Sequence, residues 1–189
     1  MSLKEPHSYS LRRRFFWLSF AATLLIYLAI GLVSAPLINA GAPTGIVSFE
    51  LAGTPDRAQQ ILATWDEYTR RYAAFSLGFD YLFMLAYAST LALACVWAGE
   101  VLQERDWPFG HQSGLFASAA VVAAFFDIVE NLGLSLILLE SWSSPWPQIA
   151  RFCAFAKFLL LSASLVYVFL GLVVFLVGRL VRTASHSTD

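Results

Sequence analysis

Charged side chains are scarce in this chain. Asp, Glu, Lys and Arg make up only 13% of its 189 residues, whereas a soluble domain carries roughly a quarter. Hydrophobic residues account for 58%, and the mean hydropathy is +0.65. This composition predicts an integral membrane protein. With a net charge of −1 the chain also lacks the basic surface that nucleic-acid binding requires, so we expect no nucleic-acid partner.

Cysteine and histidine are too few and too scattered for the common metal and redox sites. Cys95 and Cys153 belong to different predicted helices, near opposite membrane faces, which argues against a disulfide or a CxxC redox role. His7, His111 and His186 lie in termini or a loop, so haem and histidine-rich di-iron sites lack their ligands. Ser-His-Asp, Walker A and GxGxxG patterns are also absent. We therefore expect no cofactor.

Long apolar runs, by contrast, are abundant, and four exceed the ~20 residues that cross a bilayer as a helix. The predicted fold is a single-domain (1–189), all-α integral membrane protein built as a four-transmembrane-helix bundle. The predicted spans are residues 15–38, 73–99, 114–139 and 149–180, with polar tails 1–14 and 181–189.

The first apolar run follows three arginines, a pattern that secretory signal peptides share. Its length exceeds the ~7–15 residues of a signal-peptide core, which favours a membrane anchor. Partial cleavage within residues 1–40 stays as the alternative.

The connection over residues 39–72 is too long for a plain turn. Thr54, Pro55 and Asp56 supply an N-cap, a first-turn proline and an acid that suits the helix dipole, so a helix should begin there. Its apolar and charged faces predict an amphipathic helix over about 55–72, which either lies on the membrane surface or leads into the next span.

The basic residues favour one orientation in the membrane. The N-terminal side carries Lys4 and Arg12 to Arg14, and with four spans Arg179 and Arg182 fall on the same side. The positive-inside rule then places both termini in the cytoplasm and residues 39–72 in an outer loop.

The most informative stretch places three polar residues in the middle of the third span. Asp127, Glu130 and Asn131 share one helix face because positions i, i+3 and i+4 do so. Ionisable groups at membrane depth are expensive and mark functional sites by default. At ~1.5 Å of rise per residue, Asp80, Glu130 and Lys157 fall in one layer in the outer half of the bundle, with Asp127 one turn deeper.

The candidate site residues come from all four predicted spans and from the loop over residues 39–72. An excess of acids over one lysine requires that an acid be protonated, exposed to water or balanced by another cation, and a protonated carboxyl beside a lysine suits acid–base chemistry. A hard cation would accept these oxygen ligands, but the nearby lysine argues against one, so we expect no metal. The catalytic candidates are Glu130, Asp127, Asp80, Lys157 and Glu50, where Glu50 is placed to cap the layer from the loop; the ligand-binding candidates are Asn131, Tyr87 and Tyr27.

Three functional hypotheses remain open. The first is a protein that binds, or also converts by acid–base chemistry, a lipophilic small molecule. The second is a structural or accessory subunit whose buried charges serve folding. The third is a small proton- or cation-coupled transporter, although no predicted helix is broken at the midplane as transporters' helices often are. The expected partners are membrane lipids, the lipophilic ligand, and other copies of the chain in a homo-oligomer or a larger membrane complex.

Overall fold

In the computed structural model, which describes residues 6–139 and 145–185, the chain is helical and contains no strand within those ranges. Four helices are long and apolar enough to span a membrane. These are α1, α4, α5 and α6, while α2 and α3 belong to the connection between α1 and α4. The bounds are α1 Pro6–Ser34, α2 Ile46–Glu50, α3 Pro55–Ala63, α4 Glu67–Gln103, α5 Ser113–Leu138 and α6 Trp146–Ser185.

The long helices extend beyond three of the four apolar runs. α1 begins at Pro6 inside the predicted polar tail, α4 begins six residues before residue 73, and α6 continues to Ser185. Hydropathy detects only the apolar part of a helix, while backbone hydrogen bonding continues until a cap or a breaker ends it. The remainder of the predicted tails, residues 1–5 and 186–189, lies outside the described ranges.

The predicted amphipathic helix over 55–72 is two helices in the structure. The side chain of Thr54 accepts a hydrogen bond from the backbone N–H of Arg57 at 3.2 Å and caps α3, as its sequence predicts. Asp66 then caps α4 by accepting from the backbone N–H of Thr69 at 2.7 Å. This second N-cap divides the segment, so that residues 67–72 form the first turns of α4.

Consecutive long helices pack antiparallel, and α4 and α6 also touch. Helix α1 has its main contact with α4 and is the least buried of the four. Side-chain bonds join the two helices at both ends and in the middle. They are Arg12 Nη2–Glu100 Oε2 (2.7 Å), Thr23 Oγ1–Thr90 Oγ1 (3.1 Å) and Ser34 Oγ–Ser76 Oγ (2.8 Å).

The connection between α1 and α4 folds over one end of the bundle. Leu37, Phe49, Ile61 and Trp65 are buried there, against apolar side chains of α4, α5 and α6. The indole N–H of Trp65 donates to the carbonyl of Leu37 at 3.0 Å, which joins the two ends of the connection. We call residues 35–66 the cap; apolar packing holds it in place.

A second apolar core lies toward the opposite end of the bundle. The rings of Phe116 and Tyr167 stack at 4.2 Å, and the Tyr167 hydroxyl donates to the carbonyl of Phe109 at 3.1 Å. Cys95 is buried in the same core. The polar residues of α5 lie between these two cores.

Gly53 provides a test of the cap's geometry. Its φ is +71°, and an added Cβ would lie 2.5 Å from Cδ of Arg151. We expect Gly53→Ala to lower the free energy of unfolding by about 1–3 kcal/mol, because a side chain in this backbone region is strained. Thermal unfolding in detergent micelles measures the change.

Gly78→Ala is the matched control, since nothing lies within 4 Å of the Cβ that would be added to that α4 residue. Its stability should be unchanged or raised by up to ~1 kcal/mol. Equal stability of the two variants would contradict the cap geometry.

Candidate functional site

Four elements bring their polar residues to one place between the two apolar cores. Helix α5 supplies three of them from one face, α4 supplies two, and α6 and α2 supply one each. We call this group the acid–lysine cluster; it consists of Glu50, Asp80, Tyr87, Asp127, Glu130, Asn131 and Lys157.

Lys157 lies at the centre of the cluster and contacts acids from two different elements. Its Nζ donates to Asp127 Oδ1 at 2.8 Å and to Glu130 Oε1 at 2.9 Å. It also lies 3.8 Å from Glu50 Oε2. The spacing of Asp127 and Glu130 on one face of α5 is what allows a single ammonium group on α6 to bind both carboxylates.

The remaining polar groups connect α4 to the same face of α5. The Tyr87 hydroxyl donates to Asp127 Oδ2 at 2.9 Å, so that both oxygens of Asp127 have partners. Asn131 Nδ2 donates to Asp80 Oδ2 at 2.8 Å and to the carbonyl of Leu77 at 3.4 Å. Sequence analysis missed this contact of Leu77 because a backbone carbonyl gives no sequence signal.

Most of the cluster is closed to its surroundings. Glu130 is fully buried, and Asn131, Asp127, Lys157, Tyr87 and Glu50 are each less than a tenth exposed. Asp80 is the exception, since it is only half-buried. The cluster therefore reaches the surface of the protein at Asp80.

Two buried carboxylate oxygens, Glu50 Oε2 and Glu130 Oε2, have no hydrogen-bond partner. Glu130 Oε2 lies 2.9 Å from Nζ of Lys157, which also donates to Asp127 Oδ1 and Glu130 Oε1, whereas Glu50 Oε2 lies 3.8 Å from Nζ, beyond hydrogen-bond distance. The carboxyl groups of Glu50 and Glu130 also interact with each other. Two adjacent buried carboxyls are far less costly when one of them carries a proton, which then supplies the missing hydrogen bond.

The electrostatics of Glu50 agree with a proton at this pair. Burial raises the pKa of the Glu50 carboxyl above its ordinary value, and the negative charge of Asp127 raises it further. The positive charge of Lys157 and the neighbouring side chain of Glu130 lower the pKa, but they do not cancel the effect of burial. Glu50 is therefore the cap residue whose protonation affects the buried cluster inside the bundle.

Tyr27 is the one predicted site residue that the structure leaves apart from the cluster. It is 63% exposed, and its ring lies against that of Phe83 with the centroids 6.2 Å apart. Phe83 in turn contacts the ring of Tyr87 at 5.2 Å. Tyr27 is thus connected to the cluster only indirectly, because Phe83 lies between its ring and that of Tyr87.

Among the described residues, no group of three or more His, Cys, Asp or Glu side chains is arranged to hold a metal ion. No protein-family model, curated protein or solved structure matches the chain. The chemistry of the cluster is therefore the basis for any function assigned to it.

The protonated pair predicts how stability depends on pH. Because the pKa of Glu50 is higher in the folded state than its ordinary value of 4.5, the folded protein holds a proton that the unfolded chain has released. The free energy of unfolding should then fall as the pH rises from about 4.5 through the raised pKa. Thermal unfolding between pH 5 and pH 8 measures this slope.

Glu50→Gln should flatten that slope, since the amide cannot release a proton. Glu67→Gln, at an acid whose side chain is 84% exposed, is the matched control and should leave the slope in place. An unchanged slope in Glu50→Gln would show that the proton is held elsewhere.

Removing the central cation tests whether the acids depend on it. Lys157→Met leaves the buried acids without their shared ammonium group, and breaking a buried ion pair typically costs about 3–5 kcal/mol of stability. Arg71→Met removes a cation from the exposed ion pair with Glu67 and should have little effect. Chemical unfolding in mixed micelles compares the two variants, and a similar loss in both would refute a central role for Lys157.

Proposed function

We propose that this chain is a four-span membrane protein whose acid–lysine cluster binds a lipophilic small molecule and can exchange a proton with it. The two termini lie on the cytoplasmic side, and the cap lies on the outer side. This orientation follows from the arginines around the start of α1 and near the end of α6.

One observation carries the proposal, namely the buried carboxyl groups of Glu50 and Glu130: Glu50 Oε2 has no hydrogen-bond donor, and Glu130 Oε2 has only the shared ammonium group of Lys157 at 2.9 Å. A purely structural ion pair would not retain a buried carboxylate oxygen without a donor, because an unsatisfied buried acceptor costs about 1–3 kcal/mol. A proton held between Glu50 and Glu130 satisfies both oxygens, and it is also available to a bound molecule. Such a carboxyl next to Lys157 has the composition of a general acid–base site.

The charges of the cluster indicate which end of a ligand would bind. The cluster contains four acids, Glu50, Asp80, Asp127 and Glu130, and one cation, Lys157. This excess of acid favours a head group that donates hydrogen bonds or carries positive charge. The apolar walls on both sides of the cluster suit a hydrocarbon body.

The route of entry that best fits the packing lies in the plane of the membrane. The cap closes the outer end with a packed apolar core, whereas Asp80 is half-buried at the side of the bundle. Helix α1 contacts mainly α4, so its displacement would disturb little else. Nearer the cap, Val33 of α1 and aromatic residues of α4, together with Arg71, line a groove of about 360 Å³.

A structural or accessory role is the second candidate, and the near-complete burial of the cluster favours it. The cluster is almost fully buried, and Lys157 joins α6 to α5 and to the cap. In this alternative the polar contacts fix the register of the helices, and the exposed apolar face of α1 contacts a partner protein.

Photochemical labelling in nanodiscs distinguishes the two. A photoreactive long-chain amine should label α1, α4 or α5 near Asp80, and unlabelled dodecylamine should compete better than dodecanol. Asp80→Asn should keep the thermal stability close to that of the parent protein. Glu130→Gln should remain folded, because its amide oxygen still accepts from Lys157. Both variants should reduce labelling at least several-fold.

Glu104→Gln removes the same charge from an exposed position at the other end of α4 and is the matched control. Loss of folding in Glu130→Gln, with labelling unchanged in Asp80→Asn, would favour the structural role. Equal competition by the amine and the alcohol would refute the preference for a cationic head group.

A further inference from the structure

A second polar feature lies at the opposite end of the protein, on α1. Ser10, Arg13, Arg14, Trp17 and Leu18 recur at intervals of three and four residues, so they share one stripe of the helix. Among the described residues, these five line an open groove of about 620 Å³. We call this the α1 basic groove.

The arginines in this groove are not used to hold the bundle together. Their neighbour Arg12 forms a two-pronged ion pair with Glu100 of α4, at 2.8 and 2.7 Å. Arg13 and Arg14 are exposed, and no hydrogen bond or ion pair joins either of them to the described residues. The two guanidinium groups are thus exposed and remain available to an anion.

The groove changes from charged to apolar along the helix axis. Arg13 and Arg14 lie about one turn before Trp17 and Leu18, whose side chains are 56% and 71% exposed. Tryptophan is enriched at the level of lipid head groups, and the apolar span of α1 continues beyond it. An occupant must therefore carry negative charge at one end and hydrocarbon at the other.

We propose that the α1 basic groove binds the phosphodiester head group of an anionic phospholipid. The planar guanidinium groups of Arg13 and Arg14 donate pairs of hydrogen bonds to the phosphate oxygens, a geometry that arginine provides and lysine does not. The indole ring of Trp17 packs against the glycerol region, and Leu18 contacts the acyl chain. The inference depends on α1 crossing the bilayer, which is part of the proposed function, but it does not depend on the acid–lysine cluster.

Native mass spectrometry of the full chain, released from detergent with added lipid, tests the site. The protein should retain phosphatidylglycerol at least several-fold more than phosphatidylcholine of the same acyl composition. The double variant Arg13→Gln/Arg14→Gln should lose this preference. Arg57→Gln/Arg151→Gln removes the same charge from exposed positions at the cap end and should keep it.

The other outcomes are equally informative. Equal lipid retention by the two double variants would overturn the proposal and leave the arginines with a role in membrane orientation only. Competition by soluble glycerol phosphate at the concentration of the lipid would also overturn it, because the groove would then bind a free phosphate. Loss of the preference in Glu130→Gln would place the lipid at the cluster, whereas an unchanged preference there keeps the two sites separate.

Discussion

The interaction on which this structure most depends is the contact of one ammonium group, on Lys157, with carboxylates from α5 and from the cap. In a low-dielectric interior an ion pair is stable only when its remaining donors and acceptors are also satisfied. Further hydrogen bonds join α4 to α5 here: Tyr87 of α4 donates to Asp127, and Asn131 of α5 donates to Asp80 and to the carbonyl of Leu77. Three long helices and the cap are thereby fixed relative to one another at a single depth.

Helix α1 stands apart from this arrangement. It contributes none of the cluster residues and is joined to α4 by a few side-chain bonds. The bundle therefore consists of a three-helix unit held by buried charge and a fourth helix held mainly by its contact with α4. This asymmetry supports the proposed entry beside α1, and Arg13 and Arg14 of the α1 basic groove are exposed.

The cap gives the cluster its chemical character. Without Glu50 the site would be two acids and a lysine on adjacent helices, with the hydrogen-bonded pair of Asp80 and Asn131 beside it. Glu50 adds a buried carboxyl beside that of Glu130, and its pKa is raised by burial, so the proposed shared proton depends on Glu50. Phe49 and Trp65 bury the segment that carries Glu50, so the position of the proton depends on apolar packing in the cap.

The sequence by itself determined the four apolar helices, the start of α3 at Thr54 and the common face of Asp127, Glu130 and Asn131, because hydropathy, capping and helical periodicity are local properties. Counting residues along the predicted helices also placed Asp80 and Lys157 at the depth of Glu130. Only the tertiary structure decided that Asp66 begins a new helix, that Tyr27 lies outside the cluster and that Glu50 meets Glu130. These features depend on how helices rotate about their axes and on where a long connection folds back, and both are set by packing between distant segments.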